Sequence, residues 1–275
     1  MTGLLAGAYD IHVHAGPDVR PRYGDGVRVA EEYQRRGFAG IVLKDHYFET
    51  VDRAYLISRL WDGFRAYGTL VLNQSVGGIN PHAVRLAIRR GVAIVFMPTL
   101  DADILCPAFD REREDRADPA SSAWTLLGEV LVEVANGDVV FATGHAPPPL
   151  ALELIREARR RGVRRLLVTH ASMPFIRMPL EMQLQAADLG AFVEHSYVAT
   201  RQREAVAFDD ILQQVRAVGV DRCIVSTDFG QVENGSPAAG FAQMIDRALD
   251  AGFSETEVAQ LARGNPRRLL PEPRW

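Results

Sequence analysis

Polar and apolar positions along this chain repeat one phrase: an amphipathic stretch, a glycine, then a short unbroken apolar run. Tyr33-Gln34-Arg35-Arg36-Gly37 leads to Gly40-Ile41-Val42-Leu43-Lys44, and Arg65-Ala66-Tyr67-Gly68 leads to Thr69-Leu70-Val71-Leu72. The same step recurs at Gly91, Gly137, Gly162, Gly190 and Gly219, ahead of Val92–Phe96, Asp138–Phe141, Leu166–Val168, Ala191–Val193 and Cys223–Val225. Glycine accepts the left-handed backbone that ends helices, and basic residues in a last turn suit the helix dipole. Runs that are apolar throughout, rather than alternating, fit strands buried on both faces of a parallel sheet. With Ala8–Val13 they make eight strands, each followed by a helical stretch. Pro81–Arg90, after Asn80, Ala151–Arg161 and Asp209–Val218 read as helices. Eight βα units predict a closed (β/α)8 TIM barrel, and the open doubly wound alternative lacks its glycine-rich dinucleotide turn.

Residues 101–122 break the rhythm, with the charged run Asp110-Arg111-Glu112-Arg113-Glu114-Asp115-Arg116 at their centre. Two readings stand: a solvated loop, or a lid over the site. No other boundary interrupts the chain, so residues 1–275 are expected to form one barrel domain, closed by a short helix at Gly264–Leu270.

Composition narrows the function classes. The 275 residues are 47% hydrophobic and 24% charged, with net charge −4, which gives no basic surface for nucleic acid. No apolar run approaches the ~18 residues of a membrane span, and the N-terminus has no signal-peptide pattern. Two isolated cysteines, Cys106 and Cys223, make no disulfide framework and suggest a reducing cytoplasm. No Walker, Rossmann or Gly-x-Ser-x-Gly motif is present.

The chemistry lies in the histidines. Six of seven fall at the ends of expected strands: His12 and His14 on the first, His46 on the second, His145 on the fifth, His170 on the sixth and His195 on the seventh. Only His82 starts a helix, and Asp228 ends the eighth strand. In a barrel all strand C-termini meet on one rim, where active sites sit. His12 and His14, two apart, are expected on one face, where they can share a divalent metal. His145 and His170 add nitrogen donors and Asp228 a carboxylate. This donor set suits zinc, iron, nickel or manganese more than calcium. Asp10, two residues before His12, is expected to share its face and orient it, or else to be a polar strand start.

The order His12-x-His14, His145, His170 and Asp228 on strands one, five, six and eight resembles the amidohydrolase superfamily. The resemblance runs the length of the chain to Asn265-Pro266-Arg267-Arg268-Leu269-Leu270, similar to the Asn-Pro-Ala-Arg-Leu-Leu ending common there. It implies a distorted TIM barrel, one or two divalent ions, zinc first, and hydrolysis by metal-activated water. It also implies that Asp228 both binds metal and shuttles the proton. Two-metal members carry a carboxylated Lys or a Glu on the fourth strand, whereas here that strand ends Val95-Phe96-Met97-Pro98-Thr99. Lys44, on the second strand two residues before His46, is the candidate replacement. The alternative for Lys44 is an amine that binds an anionic substrate or pairs with Asp45 or Glu194. Without a bridge, a one-metal site like that of the superfamily's decarboxylases or deaminases follows.

His46 and His195 lie outside that ligand set and are expected to bind substrate, stabilise an oxyanion or replace a ligand. Glu194 is expected to face outward if His195 faces in. Arg22, Tyr23, Tyr197 and Arg201 stand in loops bordering the mouth, where arginine forks suit an anionic substrate. The leading expectation is an enzyme that hydrolyses an amide, lactone or related ester of a small molecule. A phosphoesterase, a one-metal decarboxylase and a catalytically dead binding barrel are the alternatives. A homo-oligomer stays open.

Overall fold

The computed structural model of the chain describes residues 2–109 and 123–272. Eight strands run in chain order: β1 (Tyr9–His14), β2 (Gly40–Lys44), β3 (Arg65–Val71), β4 (Ile94–Phe96), β5 (Val140–Ala142), β6 (Leu166–Val168), β7 (Phe192–Ser196) and β8 (Cys223–Ser226). Each pairs in parallel with the next. The ring closes where β8 runs out: Asp228 N donates to His12 O at 2.9 Å, and His14 N donates to Phe229 O at 2.8 Å. This is the (β/α)8 barrel that the repeated phrase predicts.

One long helix follows each strand: α1 (Gly26–Arg35), α2 (Val51–Ser58), α3 (Pro81–Arg90), α4 (Ala123–Gly137), α5 (Pro148–Arg160), α6 (Leu180–Asp188), α7 (Phe208–Val218) and α8 (Pro237–Asp250). The start of α3 shows the local logic. The Asn80 side chain accepts from His82 N and Ala83 N, both at 3.1 Å, Pro81 needs no partner, and Gly91 ends the helix at φ 98°. One expected helix end is corrected. Gly68 lies inside β3, which begins at Arg65, and α2 stops earlier, at Ser58. A Cβ at Gly68 would sit 2.6 Å from Val51 Cα, so glycine lets the first turn of α2 lie directly on the strand.

Both faces of the strands are dry. Ile11, Val42, Ile94, Phe96, Val140, Leu167 and Ile224 belong to the packing inside the barrel. Ile41, Leu43, Val95, Phe141 and Val193 join the layer beneath the helices. That double burial is why the runs are apolar throughout. The tail closes the bottom: Asn265 Nδ2 donates to Val220 O and Cys223 O at 2.7 Å each, and Leu269 and Leu270 join the inner packing. Cys106 and Cys223 are buried and free. Among the described residues no helix is long and apolar enough to cross a membrane. Of the segment 101–122, Ala102–Leu105 and Cys106–Phe109 form single turns, and 110–122 lie outside the described residues, so the lid reading rests there.

Candidate metal centre

Polar residues sit at the upper ends of β1, β2, β7 and β8, above the apolar barrel interior. In β1 the pairing with β2 shifts register between Asp10 and Val13. Ile11 packs inside the barrel and Val13 outside it, yet His12 and His14 both reach inward. The irregularity thus places two successive residues, Ile11 and His12, on the inner side. His12 Nε2 lies 3.4 Å and His14 Nε2 3.1 Å from Asp228 Oδ1. His170 Nε2 lies 3.7 Å from Asp228 Oδ2. The His170 ring stacks on His12 at 4.6 Å between centroids, and His145 stands 5.3 Å from His170. His12, His14 and Asp228 each offer one donor atom within 4.8 Å of the others, close enough to hold a metal ion.

Backbone conformation supports this convergence. His170 and Asp228 are non-glycine residues at φ 58° and φ 53°. Such strained positions persist only where surrounding structure fixes them. Gly230, at φ 139°, could carry no side chain, because its Cβ would lie 2.0 Å from His14 O. The turn beyond Asp228 can therefore lie flat on β1.

Glu194 reverses its expected orientation. It faces inward: Oε1 accepts from His12 Nδ1 at 2.9 Å and from Ser226 Oγ at 2.7 Å, and Oε2 accepts from His170 N at 3.3 Å. A carboxylate only accepts, so the His12 proton is fixed on Nδ1 and the Nε2 lone pair is left for the site, as in carboxylate–histidine–metal arrangements. Among the described residues, His12 Nε2 is one of two buried nitrogens in the site with no hydrogen-bond partner. Lys44 Nζ is the other, standing 4.7 Å over the Phe96 ring. Asp45 is engaged by Arg53 at 2.6 Å instead of by Lys44.

His14 is wired the other way. Arg22 Nη2 lies 3.3 Å from His14 Nδ1, and a guanidinium only donates. The neutral ring then carries its proton on Nε2, towards Asp228. A metal bond from that nitrogen requires the ring to change tautomer and Arg22 to release it.

Burial disfavours the charged form of His14, His46, His145 and His170, and the neutral imidazole is the form that binds metal. Burial lowers His14 to about 4, against the pull of Asp228, and lowers His145 to about 3. His46 and His170 are also pushed down, first by burial. Burial lowers Lys44 to about 8, opposed by Asp228 and Glu194. Burial raises the Asp228 carboxyl, and attraction to His12 and His170 in their protonated forms, with the hydrogen bond from His14, outweighs it and holds the carboxyl well below the usual range; with the rings neutral, the His14 hydrogen bond is what remains.

Other expected site residues divide. His46 joins the cluster: its ring stacks on His14 at 4.8 Å, and Nδ1 meets Thr99 Oγ1 at 2.8 Å. His195 does not. Strand alternation turns it to the outer side of β7, where Nδ1 meets Ser172 Oγ at 2.6 Å. Asp10 does not orient the His12 ring, because the β1 irregularity turns its side chain outward to Tyr33 Oη and Thr227 Oγ1, both at 2.6 Å. Tyr23 turns away to Glu32 at 3.0 Å. Tyr197 is buried against Phe229 and Phe208, and Arg201 lies over the Tyr197 and Phe229 rings and donates to Gln243. Arg22 is at the site, but Nε and Nη2 are spent on Asp18 Oδ2 at 2.7 Å.

The fold and cluster define a (β/α)8 barrel with a histidine–carboxylate centre on its C-terminal rim. The chain is similar to an amidohydrolase from Pseudomonas aeruginosa, with 15% identity, 97% of each chain covered and a TM-score of 0.69. It is also similar to the phosphotriesterase homology protein of Escherichia coli, solved with phosphate in its active site (14%, 96% of this chain and 98% of that one, TM-score 0.66). A lactonase from Listeria monocytogenes matches at 15% identity over 97% and 96% of the chains, with a TM-score of 0.64. These likenesses show the fold. The chain belongs to DUF6282, a family of unknown function whose model matches residues 7–194. No curated protein matches.

Proposed function

We propose that the chain is a metal-dependent hydrolase that cleaves an amide, lactone or related ester bond of a small molecule. The observation that carries this reading is the pair of buried, unpartnered nitrogens, His12 Nε2 and Lys44 Nζ, in a cluster with the Asp228 carboxylate. Leaving buried polar groups unpaired costs ~1–3 kcal/mol each, so an unpaired set in one place implies a missing ligand. The donors fit zinc, with manganese, iron or nickel as alternatives, held by His12, His14, His145, His170 and Asp228. Bound there, a divalent ion supplies Lewis acidity and lowers the pKa of a water towards ~7.

The chain's own groups supply the rest. Asp228, whose carboxylate lies 3.1 Å from His14 Nε2, takes the proton from the attacking water and returns it to the leaving group. Glu194 fixes the His12 tautomer. His46, braced by Thr99, stands beside His14 where it can donate to a substrate oxygen. Lys44 offers an amine with a lowered pKa, the state that adds carbon dioxide: nitrogen bonds to its carbon and a proton leaves, giving a carbamate able to bridge two ions.

The metal-loaded chain, offered lactones, amides, cyclic imides and phosphate esters, is expected to hydrolyse a carboxylic ester or amide. The activity should disappear with chelator and return with metal. Turnover of phosphate esters alone, or of none of these, would overturn the reading. A carbamate mass on Lys44 distinguishes a two-ion site from a one-ion site.

A further inference from the structure

A cavity of about 900 Å³ lies on the β4–β6 side of the centre, lined by His145, whose ring stands 5.3 Å from that of His170, and by Thr99, which is hydrogen-bonded to His46. Its wall comes from three loops and the start of α5. Leu100, Cys106 and Phe109 follow β4, Pro147 and Leu150 follow β5, and Phe175 follows β6. The volume is that of a small-molecule site.

Two features set its chemistry. Large apolar side chains stand open at its edge: Phe175 is 56% and Leu100 38% exposed. The Phe175 ring lies 4.9 Å from that of His145, so the apolar surface runs up to the centre itself. Exposed apolar surface at the mouth of a site marks ligand contact. The charged residues lining the cavity, among those described, are Asp103 and Glu153, both exposed, with no Lys or Arg to oppose them. On the opposite side of the centre, Arg22 is already spent on Asp18.

The geometry points to a substrate with an apolar, uncharged arm, an alkyl or aryl group, seated in this cavity, with anionic arms turned away by Asp103 and Glu153. The word substrate rests on the hydrolase reading; the binding preference does not. It differs from the anionic substrate that the loop arginines suggest in the sequence.

The test is calorimetry on the zinc-loaded full chain with primary amides from acetamide to octanamide. Affinity should rise about fourfold per methylene at least as far as hexanamide. Adipic acid monoamide, the same chain tipped with a carboxylate, should bind at least tenfold more weakly than hexanamide. Phe175→Ala should lower affinity for hexanamide three- to tenfold and leave acetamide unchanged. Glu153→Lys, on an exposed position, should strengthen adipic acid monoamide severalfold and leave hexanamide unchanged. A flat series, a carboxylate-tipped amide that binds as well as hexanamide, or a Glu153→Lys chain with unaltered preference would overturn the inference. If the series holds while no ester or amide is hydrolysed, the hydrolase reading fails and the cavity's preference stands. If hydrolysis occurs with a flat series, the cavity inference alone fails.

Discussion

Asp10 and Asp228 flank the seam where β1 meets the end of β8, and both are buried, yet their surroundings are opposite. Asp10 receives Tyr33 Oη and Thr227 Oγ1 at 2.6 Å, Thr227 N at 3.1 Å and His12 N at 3.2 Å. All are neutral donors, and burial still lifts its carboxyl to about 6 against the hydrogen bonds of Thr227 and Tyr33. Asp228 stands among imidazoles, in a site where, among the described residues, His12 Nε2 and Lys44 Nζ have no hydrogen-bond partner. One carboxylate completes a closed network that ties α1 and the loop after β8 to β1. The other belongs to a network with open valences. Burial alone therefore does not mark function at this seam; unsatisfied donors and acceptors do.

The comparison can be broken by exchanging the two phenotypes. Asp228→Asn removes the proton acceptor and is expected to cut turnover by ~10²–10⁴-fold. The Asn side chain keeps an oxygen that can ligate, so the variant should stay folded and still take up metal when loaded with zinc. Turnover in that variant equal to the parent's would remove Asp228 from proton transfer. Asp10→Ala should do the reverse. It strands buried hydroxyl and amide donors, each costing ~1–3 kcal/mol, so denaturant unfolding should show a loss of about 3 kcal/mol or more with metal stoichiometry unchanged. A stable Asp10→Ala chain that has lost its metal would place Asp10 in the centre and erase the distinction.

Much of this was legible in the sequence. The glycine-then-apolar phrase, with the first run Ala8–Val13 added to it, found a strand at each of the eight places, though it took the start of β3 for a helix end; parallel strands covered on both faces have no polar side to blur them. The same feature concealed side-chain direction. In β7, Phe192 and Val193 are both apolar, so nothing in the run says which of Glu194 and His195 points inward. Ser196 and Ser226, hydrogen-bonded to each other at 3.1 Å, leave room for the Glu194 carboxylate, but that is visible only across strands. Asp10 was misplaced because a period of two assumes a regular pleat, and β1 shifts register between Asp10 and Val13. Tyr23, Tyr197 and Arg201 border the rim in sequence, yet packing partners on α1, α7 and α8 claim their side chains. Loop position alone carries no direction.

Metal content, measured on chain purified without chelator and paired with anomalous diffraction, tests the central claim most directly. At least one equivalent of zinc, manganese, iron or nickel is expected, ligated by His12 Nε2 and Asp228, with Arg22 withdrawn from His14. A chain that holds no metal even after dialysis against zinc, or that holds it away from His12 and Asp228, would contradict the account.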